Sequence, residues 1–240
     1  MAAMTLQHTM SKAKPGTTLE ELDVAAHEFM VSNGAYPSGR GLMDYPRSVC
    51  TTVNDCVTHG IPNSYELQNG DYVNIDVVCY YEGHHGDTSA MVPVGTDVHI
   101  DILRLIRVTR EAQFKGIELC RPGLRFNEIG PVIEDYAAKY GYYINEQFEG
   151  HGIAHDIHLP PVVHGHRSPY ASKAEMKPGM AFTIEPIVML REPSEYKLWS
   201  DGWTIQAPGV PSACWEHVVL IKEEEPGYEI LTLREGELRP

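Results

Sequence analysis

Between residues 70 and 91 the chain carries the hydrophobic pattern of a strand that turns back on itself. In Asp71-Tyr72-Val73-Asn74-Ile75-Asp76-Val77-Val78 the β-branched Val73, Ile75, Val77 and Val78 bracket a carboxylate, Asp76. Glu82-Gly83 supplies a two-residue turn, after which the chain returns through Gly86-Asp87-Thr88-Ser89 to Met91. A turn centred there sets Asp87 opposite Val78. Side chains alternate along a strand, so Asp76 and Val78 share a face, and Asp76 and Asp87 become diagonal neighbours roughly 7 Å apart or less.

Helical spacing follows a different rhythm elsewhere. Thr18 and Glu21 form a capping box ahead of Leu22, Ala25, Ala26, Phe29 and Met30, with Gly34 as the stop. A second helix is predicted after Arg121-Pro122-Gly123, where Ile129, Val132, Ile133, Tyr136 and Ala137 make the apolar stripe and Gly141 ends it. A third spans about 99 to 119 on Ile102, Leu105, Ile106, Ala112 and Ile117. The C-terminal stretches Ser212–Ile221 and Tyr228–Leu233 read as strands separated by Glu225-Pro226-Gly227.

Two of these segments repeat one plan. The Pro-Gly opening and the closing glycine of the first helix recur with the same displacement of 107 positions, 15 to 122 and 34 to 141. The strand at 70–78 is answered by Gly179–Ile187, which sets Glu185 where Asp76 stands in the first half. Repetition of this kind predicts two α/β halves facing each other, each giving an acid to a shared centre. No low-complexity linker divides them, so residues 14–240 are expected as one compact domain, preceded by a short polar lead-in over 1–13.

Composition narrows the function classes. The 240 residues are 42% hydrophobic and 22% charged, ordinary for a globular chain. A net charge of −14 argues against non-specific binding to nucleic acid or anionic membranes. Five cysteines, an odd number without a CxxC pair, suggest reduced thiols. With no apolar run approaching a membrane span and no signal-peptide pattern, a cytoplasmic location is expected.

The candidate chemistry lies in acids set among apolar residues. Asp76 and Asp87 by themselves fit either a solvated sheet face or a metal site, because two close buried carboxylates repel unless a cation intervenes. Glu185, His151 between Gly150 and Gly152, and Glu216 between Trp215 and His217 occupy comparable positions. Four carboxylates and one imidazole exceed what a single catalytic zinc needs and suit two divalent ions bridged by carboxylates.

Thr58-His59-Gly60-Ile61-Pro62, Val73–Val78 with Gly86–Ser89, Gly150–Ile153, Phe182–Pro186, Asp201–Thr204 and Trp215–His217 together resemble type I methionine aminopeptidases, in the same order and at fitting intervals. The likeness runs over nearly the whole chain from Lys14. It implies the pita-bread fold of mixed α/β (α+β) class, a pseudo-two-fold repeat of two halves around a central antiparallel sheet. It implies hydrolytic removal of N-terminal methionine, preferentially before a small second residue. The implied ligands of two divalent ions (Mn, Fe, Co or Zn) are Asp76, Asp87, His151, Glu185 and Glu216, with Asp87 and Glu216 bridging. His59 and His158 match the family's further active-site histidines, and Glu185 its proton shuttle. The methionine pocket maps onto Tyr45, Cys50, Ile157 and Trp203. Implied partners are N-terminal methionine peptides and nascent chains, with the ribosome as a further one, and neither nucleic acid nor membrane.

Leu42 and Ile157 stand where relatives often carry tyrosine and phenylalanine, which predicts a less aromatic pocket. Ala154 and Leu159 also depart from the family pattern, although no metal ligand does. The helix ahead of Lys14-Pro15-Gly16 is expected to be short or missing, and there is no Cys/His-rich zinc region. His84, His85, His155, His164 and His166 have no motif to place them and are expected at the surface. The alternatives are another pita-bread hydrolase, such as an Xaa-Pro peptidase, and a catalytically silent relative that binds partners. An Xaa-Pro peptidase carries a further N-terminal domain and a silent relative has lost metal ligands, whereas this chain keeps all five.

Overall fold

The computed structural model describes all 240 residues. It opens with helix α1 (Ala2–Met10), nine residues long, where the sequence reading expected a polar lead-in and a helix that is short or missing. The correction has a physical basis in two threonines. Thr5 and Thr9 are buried with Ala2 and Leu6, and their hydroxyls donate back to the carbonyls of Met1 and Thr5, 3.3 and 2.8 Å away. A face that reads as polar in the sequence is thus satisfied internally and can pack.

Helix α2 (Leu19–Ser32) begins at the expected capping box: Thr18 Oγ1 accepts from the Glu21 amide at 3.2 Å, and the Thr18 amide donates to Glu21 Oε2 at 2.8 Å. After α2 come β1 (Tyr36–Pro37), β2 (Cys50–Val53), β3 (Cys56–Thr58), β4 (Tyr72–Tyr81) and β5 (His84–Pro93). The β4–β5 hairpin has the predicted register, with Val78 opposite Asp87 and Asp76 opposite Ser89. Glu82 and Gly83 both take positive φ, 48° and 89°, as the tight hairpin turn demands. Val73, Ile75, Val77 and Cys79 fill the core, whereas Asn74, Asp76 and Val78 line the cavity described below.

Helix α3 (Ile100–Ile117) packs on α4 (Ile129–Ala138), which is preceded by a 3₁₀ turn at Phe126–Glu128. Then follow β6 (Tyr143–Ile144), β7 (Gly150–Gly152), β8 (Leu159–Val163), β9 (Ala181–Ile184), β10 (Ile187–Met189), β11 (Lys197–Leu198), β12 (Ile205–Gln206), β13 (Ser212–Cys214), β14 (His217–Ile221) and β15 (Tyr228–Ile230). Every pairing is antiparallel. The strands form four sheets: a five-stranded one ordered β15-β14-β9-β7-β8, one with β1, β2 and β5 all on β4, and two of three strands. Pairing lapses at Glu185-Pro186 between β9 and β10, and at Trp215-Glu216 between β13 and β14. Both gaps hold a candidate acid.

The internal repeat is visible in the backbone. Gly16 donates to Leu67 and Leu67 to Thr17, at 2.9 Å each; Gly123 donates to Met176 and Met176 to Leu124, at 3.0 and 2.7 Å. Isolated bridges Thr18–Glu66 and Arg125–Glu175 extend the correspondence. The halves are tied where β5 meets the β13–β14 gap: the Glu216 amide donates to Ser89 O at 3.1 Å, Thr88 Oγ1 to Glu216 O at 2.8 Å, and Asn74 Nδ2 to Cys214 O at 2.9 Å. A core of 42 buried apolar residues, including Phe114, Phe126 and Phe182, fills the space between helices and sheets. No helix is long and apolar enough to cross a membrane.

Candidate metal centre

Asp76 on β4 and Asp87 on β5 face the same side of the hairpin. His151 on β7 and the two gap acids Glu185 and Glu216 complete a group of five around one cavity of about 370 Å³. Ligand atoms of Asp87, His151 and Glu216 lie within 4.8 Å of one another. His151 Nε2 stands 3.7 Å from Asp87 Oδ2 and 3.6 Å from Glu185 Oε1. Those separations are long for hydrogen bonds and leave room for an ion between the groups.

Strand β7 holds His151 by close backbone approach. A Cβ on Gly150 would meet Thr183 O at 2.5 Å, and one on Gly152 would meet Pro160 O at 2.5 Å, so neither glycine tolerates a side chain without a shift. Thr183 Oγ1 accepts from the His151 amide at 2.9 Å and donates to Glu185 Oε1 at 2.7 Å, orienting both candidate ligands. His151 Nδ1 lies 3.1 Å from Gly152 O. Because a carbonyl only accepts, Nδ1 carries the proton and Nε2 presents its lone pair. Burial lowers the His151 pKa to about 4, which keeps the ring neutral.

The acids are electrostatically frustrated. Burial raises the Asp76 pKa to about 6 and that of Glu185 to about 8. It pushes Asp87 and Glu216 well up as well, and the carboxylates raise one another further: Asp76 and Glu185 act on Asp87, and Asp87 and Glu185 on Glu216. No lysine or arginine lines the cavity. Four crowded carboxylates, a neutral imidazole and no fixed cation are the donor set that divalent ions would neutralise, so the residues present fit metal.

Tyr45, Cys50, His59, Ile157, His158 and Trp203 line the same cavity. Tyr45 is buried and donates between Val49 O and Gly60 O, at 3.1 and 3.0 Å, while its ring meets Trp203 edge-on with centroids 5.1 Å apart. Cys50 pairs with Asp76 across β2 and β4, and burial with Asp76 alongside pushes its thiol pKa up. His59, at a positive φ of 55°, stands edge-on to Phe148 and Trp203. The His158 ring lies 4.4 Å from that of His151. Burial lowers the pKa of both His59 and His158.

Sequence reasoning missed several residues here. Phe148 gives the cavity an aromatic wall opposite His59, although only its place three residues before His151 could have marked it. Thr183, two residues before Glu185 and so on the same strand face, had a readable signal. Cys214, whose Sγ lies 3.7 Å from Glu185 O, had none. Two expectations are corrected: His164 and His166 are buried, not at the surface, because the segment after β8 tucks beneath Gly130 of α4, where any Cβ would strike their carbonyls. His84 and His155 are exposed as expected, and His85 is half-buried.

The profile of metallopeptidase family M24 matches residues 1–223. The chain is 43% identical over 234 residues to methionine aminopeptidase 1C, chloroplastic/mitochondrial, of Arabidopsis thaliana, covering 97% of this chain and 67% of that protein. It is 43% identical over 233 residues to methionine aminopeptidase 2 of Mycobacterium tuberculosis, covering 97% and 80%. The crystal structure of methionine aminopeptidase from Rickettsia prowazekii superposes with a TM-score of 0.90 at 38% identity, covering 97% of this chain and 92% of that one.

Proposed function

Since the chain belongs to metallopeptidase family M24, we propose that it is a methionine aminopeptidase: a metal-dependent hydrolase that removes N-terminal methionine, preferentially before a small second residue. The reading rests on one observation above the others, the gathering of Asp76, Asp87, His151, Glu185 and Glu216 around a single cavity without a lysine or arginine.

These five residues would hold two divalent ions, of Mn, Fe, Co or Zn. When bound, the ions supply Lewis acidity toward the scissile carbonyl and toward water. The chain's own groups do the remainder. Glu185, oriented by the Thr183 hydroxyl, moves a proton to the leaving amine. His158, whose pKa is lowered by partial desolvation, donates an N–H to the developing oxyanion, and His59 positions the substrate backbone. The acidic floor favours a free α-amine, which makes the enzyme an exopeptidase. Tyr45, Cys50, Ile157 and Trp203, joined by Leu42 and Phe148, receive the methionine side chain. Aromatic faces and polarisable sulfur suit a thioether.

Nascent chains in the cytoplasm, met at the ribosome, are the proposed physiological substrates. The net charge of −14 gives no basis for direct nucleic-acid contact. The test is methionine release from Met-Ala-Ser by metal-stripped protein reloaded with each of the four ions in turn. Release with at least one is expected, and silence with all four would overturn the proposal. A Met-Leu-Ser peptide should be cleaved about 10–100-fold less efficiently in kcat/KM if the second-residue site is narrow.

A further inference from the structure

We propose that the chain has a second metal site, separate from the five-ligand centre, formed by Glu149, His164 and His166 and suited to a borderline divalent ion such as Zn²⁺. Donor atoms of the three residues lie within 4.8 Å of one another. Both histidines are 7% exposed, so the donors converge away from solvent.

The hydrogen bonding points to an ion. His166 Nδ1 lies 3.0 Å from the Arg167 carbonyl, so it carries the proton, and the lone pair resides on Nε2. That Nε2 is buried and has no hydrogen-bond partner. A buried, unpaired acceptor of this kind is costly, and native interiors seldom leave one unexplained. His164 Nδ1 approaches Glu149 Oε1 to 2.6 Å, yet the two are not aligned as donor and acceptor. The buried His164 Nδ1 is therefore, like His166 Nε2, left without a hydrogen bond. The rings of His164 and His166 stand edge to face with centroids 5.3 Å apart. Two imidazoles and one carboxylate make a set that binds Zn²⁺ and its neighbours with positions left open to water.

Place in the fold gives the site a consequence. Glu149 immediately precedes β7, two residues before His151, and lines the main cavity. His164 and His166 sit in the segment following β8, against Gly130 of α4. An ion bound by all three would fasten the start of β7 to that segment.

Anomalous diffraction from crystals of the full chain soaked in Zn²⁺, measured on both sides of the zinc edge, locates the ion directly. A peak bounded by Glu149, His164 and His166 is expected, distinct from any at Asp87, His151 and Glu216. A map with no peak there would overturn the proposal. In solution, Glu149→Gln changes a partly exposed carboxylate to its isosteric amide, so its fold is not at risk. Equilibrium dialysis followed by mass spectrometry should show it holding one zinc fewer than the unmodified chain, and equal content would overturn the assignment. Asp87→Asn, dialysed in parallel, should still hold the zinc that Glu149→Gln loses, so failure of the aminopeptidase reading would not obscure the result.

Discussion

At the residue scale the centre is a set of acids that no lysine or arginine side chain neutralises. Asp87 is buried beside Asp76 and Glu185, so removing its charge relieves repulsion even as it removes a ligand. Asp87→Asn should therefore leave the metal-free protein at least as stable as its parent by thermal denaturation, yet abolish methionine release and forfeit the stabilisation that added Mn²⁺ or Co²⁺ gives the parent. A fall in metal-free stability would mean that the carboxylate is satisfied by something other than an ion. Thr183 acts through its neighbours, since its one hydroxyl serves both the His151 amide and Glu185. Thr183→Val should lower metal affinity or turnover by about 10–100-fold, with rescue by Thr183→Ser, which restores the hydroxyl. Equal loss in the serine variant would assign the effect to packing.

At the element scale, strand β7 carries a constraint that its neighbours enforce. Gly150→Ala would drive a Cβ toward Thr183 O, now 2.5 Å from the ideal Cβ position, and must displace either β9 or His151. We expect a loss of about 1–3 kcal/mol in stability together with weakened metal binding, measured by denaturant titration and calorimetry. Unchanged stability would show that β7 is looser than its contacts imply. Helix α1 offers a separate test, because Leu6 is fully buried at its contact with the core. Leu6→Ala should cost about 2–5 kcal/mol, far more than a residue in a polar lead-in could.

At the scale of the whole molecule, the metal centre lies where the two halves meet, so metal and stability are linked. Asp76 is raised to about 6 and Glu185 to about 8, both above the ordinary carboxylate range. The metal-free fold therefore holds protons that the unfolded chain has already lost. Its stability is fullest below about pH 4 on account of these groups and falls as pH rises through about 6 and then about 8. Melting temperatures of metal-free protein should decline across that window, and saturating divalent ion should flatten the decline by replacing protons with metal charge. Calorimetry in buffers of different ionisation enthalpy should register proton release on metal binding near pH 7. Binding without proton release would contradict the raised carboxylates.

The sequence by itself determined the hairpin register, the capping box at Thr18, the three longer helices and the repeat that makes Glu185 the counterpart of Asp76. All of these depend on local periodicity or on turn chemistry, where the side-chain sequence and the backbone rule are read together. Motif spacing also marked the four acids and the imidazole around the cavity. Only the tertiary structure decided that Thr5 and Thr9 would turn inward, because a hydroxyl satisfied by its own helix looks polar in the sequence and behaves as core. The burial of His164 and His166 and their approach to Glu149 likewise depend on how the segment after β8 meets α4. So do the aromatic wall of Phe148 and the position of Cys214 beside Glu185. Contacts between residues distant in sequence leave no periodic trace, and their geometry exists only once the halves have closed on each other.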